Sequence, residues 1–134
     1  MGILFLCKSN VFRSQMAEAF FNKYSKNSKA ESAALIKSQD KMHKFVVRAM
    51  KEKGIDISKN ISKKVTTKMI NKADLIILID PELKESFHIN KKVEVWNIPD
   101  VVAKETDEYL YSEFIKARDI IEKKVRELIT KIDR

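Results

Sequence analysis

The chain has 134 residues, 44% of them hydrophobic, a formal net charge of +8 and one cysteine. That length and apolar content fit one domain spanning 1–134 with its own core, and one cysteine excludes an intrachain disulfide framework and a cysteine-based structural zinc site. A lone thiol suits a reducing interior, so a cytoplasmic location is expected.

The basic residues are scattered among acids on polar helix faces (KEKG, KESF, IEKKVRE), without the aromatic interleaving of a single-strand binder. Nucleic acid is not expected as the main partner, and the charge favours anionic substrates in general. No stretch approaches the length of a membrane span, so no membrane partner is expected. The start mimics targeting signals, but no basic segment precedes LFLC, and Leu6 stands where an acylation pattern requires Ser or Thr.

In chain order, GILFL (Gly2 to Leu6) reads as a strand buried on both faces, followed by a helix from about Ser14 to Lys26. A weaker strand covers about Ala30 to Leu35. Met42, Phe45, Val46, Ala49 and Met50 have the spacing of an amphipathic helix, with Gly54 placed as a left-handed cap. A short helix over Thr66 to Lys72 turns Val65, Met69 and Ala73 inward. DLIILI (Asp74 to Ile79) is the clearest buried strand, and Asp80-Pro81 supplies a cap and first-turn proline for another short helix. VEVW (Val93 to Trp96) is the fourth strand. Beyond the loop NIPDVVAKET, Leu110, Phe114, Ala117, Ile121, Val125 and Leu128 mark one face of a long helix. The alternation predicts an α/β three-layer sandwich, a four-stranded parallel sheet with helices on both faces. Cys7, Asp80 and Asp100 all fall after strands, where such sheets build their sites.

CKSNVFRS, Cys7 to Ser14, links the first strand to the first helix. Free backbone N–H groups, the positive end of the helix and Arg13 would stabilise an oxyanion or a thiolate there, so Cys7 is a candidate nucleophile. Arg13, six residues on, can lay its planar fork on two oxygens of one tetrahedral anion. Ser14 can donate to the sulfur. Asn10 can cross-link the curled loop, because Asn tolerates left-handed backbone and offers both donor and acceptor.

With SAAL and Ser32, VRAMKEKGIDIS, DLIILID and IPD with Asp100, the C-x5-R-S loop CKSNVFRSQMAEAFF resembles the low-molecular-weight protein tyrosine phosphatase and thioredoxin-type arsenate reductase superfamily. The resemblance spans nearly the whole chain. It implies that Cys7 attacks phosphorus while Arg13 and the loop amides of Lys8, Ser9, Asn10, Val11, Phe12 and Arg13 hold the peripheral oxygens. Asp100 would protonate the leaving oxygen and then activate water. No cofactor and no metal are implied. The implied partners are a phosphorylated protein or small phosphate monoester, with phosphate or arsenate as oxyanions.

The alternative within the resemblance is arsenate reductase. Gln15 in RSQMAE looks like that branch, whereas the thioredoxin-linked reductases need two further cysteines near and beyond the end of the third strand. This chain has neither, and Asp80 occupies the first of those places, so a reductase would need an external thiol. Val11 resembles the apolar residue of phosphotyrosine phosphatases. A different class, an oxyanion-binding module with weak turnover, is raised by two of three departures, Ser9 and the stretch after Asp100. Ser9 replaces a glycine and predicts strain if its φ is positive. Asn60 stands where relatives carry histidine, and VVAKET follows Asp100 in place of an aromatic pair.

Simpler roles compete at several positions: buried filler for Cys7, a loop or cap acid for Asp100, a helix cap for Asp80 and a strand-end residue for Ser32. His43 and His88 lack metal-ligand spacing and read as surface residues, and Trp96 reads as core or pocket wall.

Overall fold

The computed structural model describes residues 1–36, 41–87, 89, 91–102 and 104–133; His88 lies outside them. β1 (Gly2–Cys7), β2 (Lys29–Ala34), β3 (Leu75–Leu78) and β4 (Val93–Val95) form one sheet in the order β2-β1-β3-β4. Every pairing is parallel, with Cys7 opposite Ala34 and Leu6 opposite Leu78. The helices are α1 (Arg13–Tyr24), α2 (Lys44–Lys51), α3 (Thr67–Lys72) and α4 (Asp107–Ile132), with a 3-10 turn at Pro81–Ser86.

Alternation along β1 and β3 divides the core in two. Ile3, Phe5, Leu75 and Ile77 face the layer that contains Phe20, Phe21, Phe45, Met50, Ile121 and Val125 from α1, α2 and α4. Leu4, Leu6, Ile76 and Leu78 face the other layer, where Met69, Ile70 and Leu83 pack. Helices therefore cover both faces, as the uninterrupted apolar runs require of a central parallel strand. Trp96 is core, with its ring 5.6 Å from that of Phe5.

Local signals place most element ends within two residues of the expected ones. α2 closes in a Schellman motif: Ile55 N–H donates to the Met50 carbonyl at 3.1 Å, Gly54 N–H to Lys51 at 2.9 Å, and Gly54 has φ +75°. Asp80 caps the 3-10 turn by accepting from Glu82 N–H at 3.2 Å. His43 corrects the surface expectation. It is half-buried at the N-terminus of α2, its Nδ1 accepts from Phe45 N–H at 3.1 Å, and its ring lies 4.8 Å from that of Phe114. Burial pushes its pKa below the usual 6.5, with Lys44 adding to the shift.

Candidate active site

β1 delivers Cys7 to the carboxyl edge of the sheet, and the chain then curls through Lys8 to Phe12 before entering α1. Cys7 and those loop residues, together with Arg13 and Asp100, line a cavity of about 100 Å³. The first turn of any helix leaves its amides without intrahelical partners, so α1 presents free N–H groups on this side. The cavity brings the Cys7 sulfur, Arg13 and Asp100 together in a volume that suits a small oxyanion.

A buried network fixes the curl. Asn10 is fully buried at φ 58°, the left-handed conformation that Asn tolerates. Its Nδ2 donates to Ser14 Oγ at 2.7 Å and to Ser32 Oγ at 2.9 Å. Its Oδ1 accepts from Gln15 Nε2 and from the Lys63 backbone N–H, both at 3.1 Å. All four hydrogen-bonding positions of the amide are thus filled. Because Ser14 Oγ already accepts from Asn10, its hydroxyl proton is free to point at Cys7 Sγ, 2.9 Å away. Ser32 is buried and braces the loop from β2.

Ser9 does not carry the strain that replacement of glycine suggested. Asn10 is the positive-φ residue other than glycine among those described, so the left-handed step falls one position later. Ser9 instead offers its carbonyl to Ser62 Oγ at 2.8 Å. Asn60 takes part as well, donating to Gln15 Oε1 at 3.1 Å. Phe12 meets Phe114 of α4 edge-on, with ring centroids 4.8 Å apart. Lys8 is exposed, and its carbonyl accepts from Ile36 N–H at 3.2 Å.

Arg13 is 4% exposed and is held from three directions. Nη1 donates to the Ile98 carbonyl at 2.8 Å, while Nη2 lies 3.4 Å from Asp80 and 3.7 Å from Asp100. Asp80 is buried, so it both caps the 3-10 turn and pairs with the guanidinium. Asp100 has its side chain 57% exposed and stands at the rim of the cavity, with Oδ1 accepting from Val101 N–H at 2.9 Å. The structure thus brings Cys7, Arg13, Ser14, Asp80 and Asp100 to one place.

Sequence reasoning missed Ile98, Ser62 and Lys63. Ile98 and Lys63 act through backbone atoms, which leave no side-chain signal, and Ser62 sits in the unpatterned stretch ISKK. Behind the network lies Glu18, whose pKa is raised by burial against the opposing effects of the Ser32 hydroxyl and Lys63.

The family model described as low molecular weight phosphotyrosine protein phosphatase matches residues 2–134. An arsenate reductase of Brevibacillus brevis is 36% identical over 129 residues, covering 92% of this chain and 90% of that protein. One of Bacillus subtilis is 32% identical over 129 residues, covering 93% and 92%. Among solved structures, an arsenate reductase from Archaeoglobus fulgidus superposes with a TM-score of 0.76 at 28% identity, covering 96% of this chain and 98% of that one. A low-molecular-weight protein tyrosine phosphatase from T. tengcongensis superposes at 0.86 with 24% identity, covering 98% and 99%, a likeness of fold alone. Phosphatases and arsenate reductases thus share this fold, and the chain belongs to the low molecular weight phosphotyrosine protein phosphatase family.

Proposed function

We propose that the chain is a phosphatase that hydrolyses phosphotyrosine-type monoesters through a cysteinyl-phosphate. The Cys7 thiolate attacks phosphorus, a P–S bond forms and the P–O bond to the leaving group breaks. The leaving oxygen takes the proton of Asp100. Water then attacks the thiophosphate, returns a proton to Asp100 and frees inorganic phosphate and the thiolate. Arg13 and the amides of Lys8 to Arg13 neutralise the equatorial oxygens throughout. Ser14 stabilises the sulfur as nucleophile and as leaving group. Ser32 acts indirectly, by bracing Asn10.

The observation that carries this reading is Asp80. In the reductases that this chain resembles, the first additional thiol stands at that place; here a buried carboxylate lies 3.4 Å from Arg13. A carboxylate orients the guanidinium but supplies no electrons to an arsenic adduct. The relatives named arsenate reductase support a second reading. In it Cys7 binds arsenate and an external thiol displaces arsenite, leaving a mixed disulfide on Cys7 that a second external thiol reduces.

The deciding experiment assays p-nitrophenyl phosphate hydrolysis by wild type and by Cys7→Ser, and in parallel arsenite release from arsenate with excess thiol. Nitrophenol release that disappears in Cys7→Ser, with arsenate acting as a competitor, supports the phosphatase. Arsenite formation without nitrophenol release replaces it with the reductase, and nitrophenol release that persists in Cys7→Ser refutes the covalent step.

A further inference from the structure

We infer that Arg13 positions the acid as well as the anion: through the Ile98 carbonyl and the rigid Pro99 link, its guanidinium sets where Asp100 stands over the cavity. This rests on the phosphatase reading and deepens it, making Arg13 and Pro99 positioning residues for the proton-transfer step.

The ties of the acid segment point there. β4 leaves the sheet after Trp96, whose N–H donates to the Leu78 carbonyl at 2.9 Å, and α4 is capped by Thr106. Among the described residues between them, 97–102 make two polar contacts with another element, and both go to Arg13. Nη1 donates to the Ile98 carbonyl at 2.8 Å, and Nη2 lies 3.7 Å from the Asp100 carboxylate. The other bond, from Val101 N–H to Asp100 Oδ1, stays within the segment. Ile98 is buried and Val101 packs against the same core. Apolar packing has no direction, however, whereas an N–H···O bond fixes the rotation of the peptide that accepts it.

Pro99 carries that orientation forward. Between the Ile98 carbonyl and the Asp100 Cα the backbone turns only about the φ and ψ of Pro99, since both peptide units are planar. The pyrrolidine ring locks the φ, and it also confines the preceding Ile98 to extended backbone. A guanidinium that fixes the Ile98 carbonyl therefore leaves a single soft torsion before the acid. Asp80, buried and 3.4 Å from Nη2, holds the guanidinium from its other side. Because arginine has five N–H donors, the one used by Ile98 leaves its fork able to take two oxygens of an anion.

The chemistry gains from this arrangement. The proton donor must stand at the leaving oxygen while the phosphoryl group lies on the guanidinium, and a misplacement of about 1 Å can cost about 10²-fold. One side chain touching both keeps them in register. Pro99 is exposed, and the cavity around Cys7 is lined by residues 7–13 and Asp100, so Pro99→Gly loosens the link without entering the cradle.

The test measures kcat for phenyl phosphate and p-nitrophenyl phosphate, and inhibition by inorganic phosphate, in wild type, Pro99→Gly, Arg13→Lys, Asp100→Asn and the double variant Pro99→Gly/Asp100→Asn. Pro99→Gly should lower kcat for phenyl phosphate by about tenfold and for p-nitrophenyl phosphate by less, with phosphate inhibition unchanged. Arg13→Lys should show the same bias toward the better leaving group on top of its weaker anion binding. In the Asp100→Asn background, Pro99→Gly should cost nothing further, because it acts through the acid. A wild-type ratio of the two substrates in either single variant overturns the inference, as does a Pro99→Gly loss that persists without Asp100; both outcomes spare the phosphatase. Failure of the wild type to hydrolyse either ester removes the phosphatase reading and the inference together.

Discussion

The loop that would bind the anion and the segment that carries the acid are built in opposite ways. Asn10, Arg13 and Ser14 are buried, and the four hydrogen-bonding positions of Asn10 are filled by partners from α1, β2 and residue 63. Asp100 is mostly exposed and is held by one neighbouring amide and a 3.7 Å approach to Arg13. The loop is therefore part of the fold, and damage to it costs stability as well as binding. The acid segment is a surface feature, whose alteration should change chemistry and leave the fold intact.

Five substitutions sharpen that contrast. The largest effect is expected from Arg13→Lys, which keeps the charge but loses the planar fork and its bond to Ile98. Steady-state kinetics should show kcat/KM lower by about 10²- to 10³-fold. Asp100→Asn should cost about 10²-fold in kcat with no change in the urea midpoint. Its loss should be greater for phenyl phosphate than for p-nitrophenyl phosphate, since the poorer leaving group depends more on a proton. Equal losses would remove Asp100 as the acid.

Asn10→Gly keeps the left-handed backbone free of strain and deletes the amide, so urea unfolding should report about 2 kcal/mol of lost stability. Asn10→Ala should lose roughly 1 kcal/mol more through its Cβ at positive φ. The smallest effect belongs to His43. Above pH 6.5 it is neutral whether folded or unfolded and contributes no pH dependence. As pH falls through 6.5 toward its lowered folded value, the unfolded chain takes up the proton first and stability declines. His43→Asn keeps a capping acceptor without the titration, so melting curves should show that acid-side decline reduced.

Much of this architecture can be read from local pattern. The runs in β1 and β3 are apolar on both faces because both faces are covered, and the spacing along α4 shows which side meets the sheet. Cys7, Arg13 and Ser14 were legible because loop length and chemistry constrain one another within eight residues. The braces were not. Ile98 contributes a carbonyl, Lys63 an amide, and Gln15, which in sequence marks one branch, links Asn10 to Asn60. His43 was misread because a ring nitrogen accepting from the backbone looks, in sequence, like any histidine beside a helix. Tertiary contacts made through the main chain leave little trace in residue type.

The sheet order has a last consequence, for folding. β1 lies between β2 and β3, so the strand that carries Cys7 is incomplete until residues 75–78 dock against it. The guanidinium at position 13 is fixed by partners at 80 and 98, and the curl at position 10 by one at 63. Every one of these contacts closes a long stretch of chain, the kind of ordering that slows assembly. During refolding, competence to bind an oxyanion should therefore emerge with the final docking of the sheet and lag behind helix formation. A phosphate analogue would then act as a reporter of the finished molecule.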